Sequence, residues 1–266
     1  MCATCGCSSA AVVRLFPASH EHEIGEHDSH EHPGHEHLGH EHERTVQLQQ
    51  KVLAKNDRLA EANRDWLRQR GILAINLMSS PGAGKTTLLE RTARDLGGQM
   101  AISVIEGDQA AALDATRIRA AGCRVVQINT GAGCHLDAEM VAEGLRVLDP
   151  PGGSVVVIEN VGNLVCPALF DLGERAKVVI MSVTEGDDKP IKYPHMFRAS
   201  GLMVLNKIDL LPHVQFDVER CIGHARQVNQ RIGVMKVSAT RGQGLDEWYG
   251  WLRQEAERAR QGARLI

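Results

Sequence analysis

One short stretch of the chain, residues 79–87, limits the possible folds more than any other. An apolar run, Ile72–Met78, leads directly into Ser-Ser-Pro-Gly-Ala-Gly-Lys-Thr-Thr, and a helix-like segment begins at Thr86. Apart from Ser79, which replaces the usual first glycine, this is the spacing of a phosphate-binding loop, G-x-x-x-x-G-K-S/T. Such a loop connects a strand to a helix, and its amides and the helix N-terminus converge on phosphate oxygens. The sequence therefore predicts an α/β fold of the P-loop NTPase type.

The residues of this loop have separate expected roles. The glycines allow close approach of the backbone to the phosphates, the lysine pairs with the outer phosphates, and the threonine hydroxyl coordinates Mg²⁺. The expected nucleotide-binding residues are Gly82, Ala83, Gly84, Lys85, Thr86 and Thr87.

A second motif indicates which base is bound. The run Asn-Lys-Ile-Asp at 206–209 follows an apolar segment and resembles the N-K-x-D signature of GTPases. The Asp209 carboxylate accepts hydrogen bonds from guanine N1–H and from its 2-amino group, which adenine does not offer. Asn206 is expected at the O6/N7 edge, Lys207 along the base, and the Ala239 amide of Ser238-Ala239 near O6. The predicted nucleotides are GTP and GDP.

Two acidic residues stand near the ends of other apolar runs. Asp108 follows Glu-Gly after the second predicted strand, and Glu159 follows Val-Val-Val-Ile. Carboxylates in these places suit Mg²⁺ or its bound waters, so Thr86, Asp108 and Glu159 are predicted magnesium ligands. Lys85, Asp108 and Glu159 are the predicted catalytic residues. A helix cap or a solvated turn is the alternative for each carboxylate, and which one orients the attacking water stays open.

Beyond Gly71, short apolar runs alternate with amphipathic segments such as Asp137–Val147 and Asp217–Val228. Apolar strands between helices are typical of a mainly parallel sheet flanked by helices on both faces. Ligands of such sheets bind beyond the carboxyl ends of the strands, which is where the motifs fall. The predicted strands are Ile72–Met78, Ala101–Ile105, Val125–Asn129, Ser154–Ile158, Lys177–Val183, Leu202–Leu205 and Val234–Val237.

The N-terminal part of the chain has a different composition. Residues 1–43 contain one basic and eight acidic residues, a formal charge of −7, and residues 20–43 are low-complexity His/Glu sequence with little to bury. We therefore predict a mostly disordered, Cys/His-rich metal-binding tail at 1–43. A helix is expected at 44–70, where apolar residues recur every seven positions, and the P-loop GTPase domain at 71–266.

Charge and hydropathy exclude several classes of protein. Outside the tail the chain carries only +4, too little for a nucleic-acid surface. It has no apolar run long enough for a membrane-spanning helix and no secretory signal. We therefore expect a cytoplasmic protein whose seven cysteines are reduced thiols or metal ligands. Cys123 and Cys221 are expected to be buried in the core.

The tail holds two sets of metal ligands. Cys2, Cys5 and Cys7 place three thiolates within six residues, and the amino terminus offers a fourth ligand. Thiolates select zinc, copper(I) or nickel over magnesium, and imidazoles suit nickel, zinc and copper. The nine histidines predict metal storage, with a pH-responsive tail or a solvated linker as the alternative. They are His20, His22, His27, His30, His32, His35, His37, His40 and His42.

A third set of ligands lies inside the domain. Cys134-His135 follows Gly-Ala-Gly, which lets adjacent side chains converge, and Cys166 comes seven residues after Glu159. If the loops after the third and fourth strands lie together, these three residues share one metal ion, completed by a second protomer or solvent. Core packing is the alternative for a Cys-His pair standing alone. Nickel and zinc both suit this ligand set.

From Gly71 onward the chain resembles the HypB family, the nickel-incorporation GTPases of nickel–iron hydrogenase assembly. The resemblance rests on the phosphate loop, Glu-Gly-Asp108, Gly-Cys134-His135, Glu-Asn-Val-Gly-Asn-Leu-Val-Cys166-Pro, Asp-Lys-Pro-Ile-Lys-Tyr-Pro at 188–194 and Asn-Lys-Ile-Asp209. It implies slow hydrolysis of GTP to GDP, homodimerisation promoted by GTP or metal, and nickel or zinc at Cys134, His135 and Cys166. It also implies a HypA-type nickel chaperone and the hydrogenase large-subunit precursor as partners.

The same resemblance makes the N-terminal cysteines a high-affinity nickel site and the histidines a nickel reservoir. Three other functions fit part of the pattern. A urease accessory GTPase shares the phosphate loop and a His-rich N-terminus, but its metal motif is Cys-Pro-His. A P-loop small-molecule kinase does not account for Asp209 or the metal motifs, and a metal-storage protein does not account for the nucleotide site. The predicted function is GTP-dependent nickel delivery to the hydrogenase large subunit.

Overall fold

The computed structural model describes residues 37–108, 113–131 and 133–265, with side chains for 51–107, 114–131 and 133–265. The chain divides into two units, one ending at Ala54 and the other beginning at Lys55, and the second contains the whole sheet. The predicted ligands Cys2, Cys5, Cys7 and the histidines up to His35 lie outside the described residues. The first helix begins at His37, seven residues before the predicted start at 44. The assignment of residues 1–43 as a metal-binding tail stays a prediction.

The second unit is built on one seven-stranded parallel sheet, so the predicted fold class is confirmed. All seven predicted strands are present. They are Leu73–Ser79 (β1), Ile102–Asp108 (β2), Arg124–Asn129 (β3), Val155–Glu159 (β4), Ala176–Ser182 (β5), Leu202–Asn206 (β6) and Gly233–Lys236 (β7). The strand order, β3-β2-β4-β1-β5-β6-β7, places β1, the strand that precedes the phosphate loop, at the centre.

Helices connect the strands, and the two amphipathic segments identified in the sequence form the helices Ala138–Leu148 (α4) and Val218–Val228 (α8). Asp137 and Asp217 cap these helices by accepting from the amides of Met140 and Arg220, at 2.8 and 2.9 Å. A 3-10 helix spans Ile208–His213. The helices are His37–Gln69 (α1), Lys85–Leu96 (α2), Leu113–Ala120 (α3), Ala138–Leu148 (α4), Cys166–Leu169 (α5), Lys189–Lys192 (α6), Pro194–Ala199 (α7), Val218–Val228 (α8) and Leu245–Ala263 (α9).

The core lies on both faces of the sheet because successive strand side chains point to opposite faces. Leu73 and Leu77 of β1 pack with α2, α3 and α9 on one face. On the other face Ala74 packs with α1 and α4, while Met78 packs with α7 and α8. Cys123 and Cys221 are buried in this core, as predicted. Among the helices of the described residues, none combines the length and the apolar character needed to span a bilayer.

The long helix α9 was not singled out in the sequence. Its buried residues Leu245, Trp248, Tyr249 and Leu252 recur at three- and four-residue spacing and cover one face of the sheet. Trp248 Nε1 donates to Thr92 Oγ1 at 2.9 Å. Helix α9 is thereby held against α2, the helix that follows the phosphate loop.

Candidate functional site

The phosphate loop connects β1 to α2 and lines a cavity of about 500 Å³. Lys85 Nζ donates to Ser79 Oγ at 3.0 Å, so the serine that replaces the usual glycine contacts the lysine side chain. The N-terminus of α2 adds a positive partial charge at the same place. The cavity is lined by Pro81, Gly82, Gly84, Lys85, Thr86, Thr87, Glu106, Gly107, Asp114, Arg117, Glu159, Asn160, Val161, Gly162 and Lys207.

The predicted base-reading motif contacts the phosphate loop directly. Asn206 Nδ2 donates to Ala83 O at 3.0 Å, and Lys207 Nζ donates to Gly82 O at 2.7 Å. Gly84 has a φ of +100°, and a Cβ at this position would lie 2.4 Å from Asn206 Nδ2. Only glycine therefore fits between the loop and β6. This contact brings together the two motifs that the sequence analysis assigned to phosphate and base.

The Asp209 carboxylate has an unsatisfied oxygen. Asp209 Oδ1 is buried and has no hydrogen-bond partner among the described residues. A buried acceptor without a donor costs about 1–3 kcal/mol, which guanine N1–H or its 2-amino group would offset. The Ala239 amide donates to Asn206 Oδ1 at 3.2 Å, and Ser238 is fully buried. Contact of Ala239 with guanine O6 stays a prediction.

The hydroxyl of Thr86 and the carboxylate of Glu159, two of the predicted magnesium ligands, lie together. Thr86 Oγ1 donates to Glu159 Oε1 at 2.7 Å, and the other Glu159 oxygen is buried with no partner among the described residues. The pKa of Glu159 is raised, because the effect of burial outweighs the nearby Lys85 charge and the Thr86 hydrogen bond, which both lower it. A hydroxyl and a carboxylate with a spare buried oxygen form the hard oxygen set that Mg²⁺ prefers.

The remaining predicted carboxylate, Asp108, is the last residue of β2 and pairs with Asn129 of β3, and only its backbone is described. The structure adds Asp114, which the sequence analysis missed. Asp114 Oδ2 lies 3.0 Å from Thr86 Oγ1, and the same carboxylate pairs with Arg117 at 3.3 Å. In the sequence, Asp114 differs from other acidic residues only in its position, in the first turn of the helix that follows β2.

Glu185 is a second missed residue. It accepts hydrogen bonds from Ser80 Oγ of the phosphate loop, from the Ser182 amide at 2.9 Å and from Lys189 Nζ at 2.5 Å. The segment after β5 is thereby attached to the phosphate loop. Glu185 precedes the run Asp-Lys-Pro at 188–190, and that proximity was its only signal in the sequence.

Cys134, His135 and Cys166 come together, with their ligand atoms all within 4.8 Å of one another. Cys134 Sγ lies 2.8 Å from Cys166 Sγ and 3.6 Å from His135 Nδ1. The His135 ring is buried and stacks on Phe170, with 3.9 Å between ring centroids. Burial lowers the pKa of His135, which favours the neutral imidazole that binds metals. In the part of the chain that the structure describes, this is the one such cluster.

Asn160 connects this metal cluster to the nucleotide cavity. Its side chain is only 1% exposed. Asn160 Oδ1 accepts from the amides of Leu136 and Val161 at 3.2 and 3.0 Å, and Nδ2 donates to Asn76 Oδ1 at 3.3 Å. Leu136 directly follows His135, and Asn160 directly follows Glu159. One buried amide therefore links the two groups of candidate ligands.

Comparison with known proteins agrees with this arrangement. The family profile described as CobW/HypB/UreG, nucleotide-binding domain, matches residues 73–236. The hydrogenase maturation factor HypB of Rhizobium leguminosarum bv. viciae is 55% identical over 216 residues, which cover 81% of this chain and 72% of that protein. The chain belongs to the HypB family. The resemblance inferred from its motifs is therefore confirmed.

Two solved structures of the HypB family share the fold. Hydrogenase maturation factor HypB from Archaeoglobus fulgidus has a TM-score of 0.71 and 42% identity, covering 77% of this chain and 100% of that one. HypB from Helicobacter pylori, solved in complex with nickel, has a TM-score of 0.72 and 33% identity, covering 77% and 96%. Membership of the HypB family places this chain among hydrogenase maturation factors with a P-loop nucleotide-binding domain.

Proposed function

We propose that this HypB-family protein is a GTP-hydrolysing nickel metallochaperone that delivers nickel to the large subunit of a nickel–iron hydrogenase during its maturation. The observation that carries the proposal is the link through Asn160 between a nucleotide cavity and the Cys134–His135–Cys166 cluster. A storage protein needs no nucleotide cavity, and a small-molecule kinase needs no thiolate cluster. The nickel-bound H. pylori relative supports the choice of metal.

In this proposal the base, the phosphates and the catalytic ion have separate partners. Asp209 accepts from guanine, while Lys85 and the amides of the phosphate loop hold the outer phosphates. Thr86 and Glu159 would hold Mg²⁺, together with Asp108 or with a water molecule bound to Asp108. When bound, the ion would neutralise charge on the transferring phosphate. Asp108 and Glu159 are both candidates for orienting the attacking water. Hydrolysis is slow and serves to switch the protein between GTP and GDP states.

Nickel is the cargo of the proposed reaction. Two thiolates and a neutral imidazole suit both nickel and zinc, and a second protomer or solvent would complete the coordination. The three N-terminal cysteines bind nickel tightly, and the tail histidines store it. The proposed partners are a second copy of this chain, in a dimer promoted by GTP or metal, a HypA-type nickel chaperone and the hydrogenase large-subunit precursor. The proposed compartment is the cytoplasm.

The nucleotide assignment is tested with Asp209→Asn. The two hydrogen bonds from guanine to a buried carboxylate contribute at least about 3 kcal/mol, or roughly 100-fold in affinity. We expect the variant to lose GTP affinity by about this factor and to gain affinity for xanthosine nucleotides, whose 2-oxo group accepts from an amide. Nucleotide affinities are measured by calorimetry. Equal affinity of the unmodified protein for ATP and GTP would contradict the GTPase assignment.

The biological assignment is tested by deleting the gene and assaying hydrogenase and urease with and without added nickel. We expect hydrogenase activity to be lost and to be partly restored by excess nickel, because the deletion leaves the hydrogenase genes unchanged and removes only the proposed route of nickel delivery. Complementation with Cys134→Ser or Cys166→Ser should fail at low nickel. Loss of urease activity alone would favour a urease accessory role instead.

A further inference from the structure

The part of α1 at residues 55–69 contacts the two metal-carrying loops, although it belongs to neither candidate site. These loops are residues 130–138, which end at the first residue of α4, and residues 160–173, which include the short helix α5. Asn63 is 5% exposed, and its Nδ2 donates to Ala138 O at 2.8 Å and to Leu172 O at 3.1 Å. Ala138 comes three residues after His135, and Leu172 comes six residues after Cys166. One side-chain amide therefore bridges the backbones on the two sides of the cluster.

Asn56 makes a second bridge between the same loops. Its Oδ1 accepts from the Ala138 amide at 2.9 Å, and its Nδ2 donates to Asp171 O at 2.8 Å. Asn56 is also only 5% exposed. Burying a primary amide is unfavourable unless its hydrogen-bonding groups are satisfied. Here both asparagines satisfy backbone groups of the two metal-carrying loops rather than groups within their own helix.

Two further contacts fix this part of α1 against the loop that follows Cys166. Arg64 Nη2 contacts both carboxylate oxygens of Asp171, at 2.7 and 2.6 Å. Gly173 has a φ of +88°, and a Cβ there would lie 2.6 Å from Ala60 O. The helix backbone and the loop backbone are therefore in direct contact, and only glycine permits this approach.

We infer that Asn56 and Asn63 are positioning residues of the Cys134–His135–Cys166 cluster, which hold its two loops at the separation that a metal ion requires. The inference rests on the metal-binding role proposed above. Zinc, which suits this ligand set as nickel does, would in tetrahedral coordination, with metal–sulfur bonds of about 2.3 Å, hold two sulfurs about 3.8 Å apart. The Cys134 and Cys166 sulfurs are 2.8 Å apart here. Rotation of the two cysteine side chains would supply the difference of about 1 Å, and loops held in place keep this adjustment small.

Two asparagines hold these loops more specifically than apolar residues would. An apolar side chain would pack against the loops without fixing their register. A side-chain amide that is hydrogen-bonded to one backbone group in each loop defines both the distance between the loops and their relative orientation. Ligand sites lose affinity when the groups supporting them are removed, typically by about 10- to 100-fold. Removing one bridge should therefore weaken metal binding without disturbing the nucleotide cavity, which Asn63 does not line.

The test uses the full chain with the three N-terminal cysteines changed to serine, so that thiolate-to-nickel absorbance reports on Cys134 and Cys166. In this background we expect Asn63→Ala to weaken nickel binding by about tenfold or more and to shift the charge-transfer band. GTP affinity should stay unchanged. The matched control is Asn229→Ala, since Asn229 Nδ2 also donates to two carbonyls, Phe197 O and Ser200 O, at 3.2 and 2.9 Å. This control should leave the nickel titration unaltered.

The nickel titrations separate failure of the inference from failure of the proposed function. Unchanged nickel affinity and an unchanged band in Asn63→Ala would overturn the inference while leaving the proposed function intact. Cys134→Ser should remove the nickel–thiolate absorbance. If no absorbance depends on Cys134, the metal assignment and the inference are both overturned. Should Asn63→Ala not fold, Asn56→Ala is read in the same way, because it removes the second bridge between the same loops. An equal loss in Asn229→Ala would show a general effect of destabilisation and would also overturn the inference.

Discussion

Replacing Asn160 tests whether the nucleotide state reaches the metal cluster. Asn160→Ala removes the acceptor of the Leu136 amide and the donor to Asn76 Oδ1, both in a buried region. Each buried polar group left without a partner costs about 1–3 kcal/mol. We therefore expect the free energy of unfolding to fall by about 2–4 kcal/mol, which is measurable by urea denaturation, without loss of the fold.

The larger consequence concerns coupling between the two sites. Binding linkage is reciprocal: if GTP changes the affinity for metal by some factor, metal changes the affinity for GTP by the same factor. Such coupling is typically about 1–3 kcal/mol, or roughly 5- to 150-fold in affinity. In the unmodified protein we expect nickel affinity of the Cys134–His135–Cys166 cluster to differ between GDP and a non-hydrolysable GTP analogue. In Asn160→Ala the ratio should approach one, because movement of the Glu159 segment no longer displaces Leu136. Cys166→Ala should also reduce the ratio while guanine binding persists.

The assay is nickel titration, followed by thiolate absorbance, of the protein lacking the three N-terminal cysteines and saturated with either nucleotide. The dimer fraction is held constant between the two states, and Asn229→Ala again serves as the control for lost stability. An unchanged affinity ratio in Asn160→Ala would refute the coupling route argued from these hydrogen bonds. Equal affinities in both states of the unmodified protein would mean that the switch acts through partner docking.

Three more predictions concern other parts of the chain. In equilibrium dialysis, replacing the three N-terminal cysteines should abolish the tightest nickel site, whereas deleting residues 20–43 should mainly lower the total amount of nickel bound per chain. A protein that begins near residue 45 and no longer binds GTP would contradict the separation of the metal-binding tail from the nucleotide-binding domain. Gly173→Ala should lower the free energy of unfolding by about 1–3 kcal/mol in urea, since its Cβ would collide with Ala60 O and its φ is +88°. Glu159→Gln should raise the Mg²⁺ concentration needed for GTP hydrolysis, because a neutral amide binds Mg²⁺ more weakly than a carboxylate, and an unchanged Mg²⁺ dependence would exclude Glu159 as a ligand.

Features with a fixed local spacing could be predicted from the sequence. The phosphate loop, the Asn-Lys-Ile-Asp run and the seven apolar strands depend on neighbouring residues, so their patterns survive without any knowledge of the fold. Cys134, His135 and Cys166 were also identified in advance, because they follow predicted strands whose carboxyl ends lie at one edge of a parallel sheet. The roles assigned to all these residues stay predictions until they are tested by mutation.

Other features were decided only by the tertiary structure. Asp114, Glu185 and Asn63 are ordinary polar residues in sequence, and each gains its place from contacts with residues 28 to 109 positions away. Hydrogen bonds over such separations leave no periodicity or motif in the chain. The close packing of α1 on Gly173 likewise depends on how a helix before the sheet returns to the loop between α5 and β5. A single sequence does not encode that approach locally, because it arises only when the sheet has assembled and buried both surfaces.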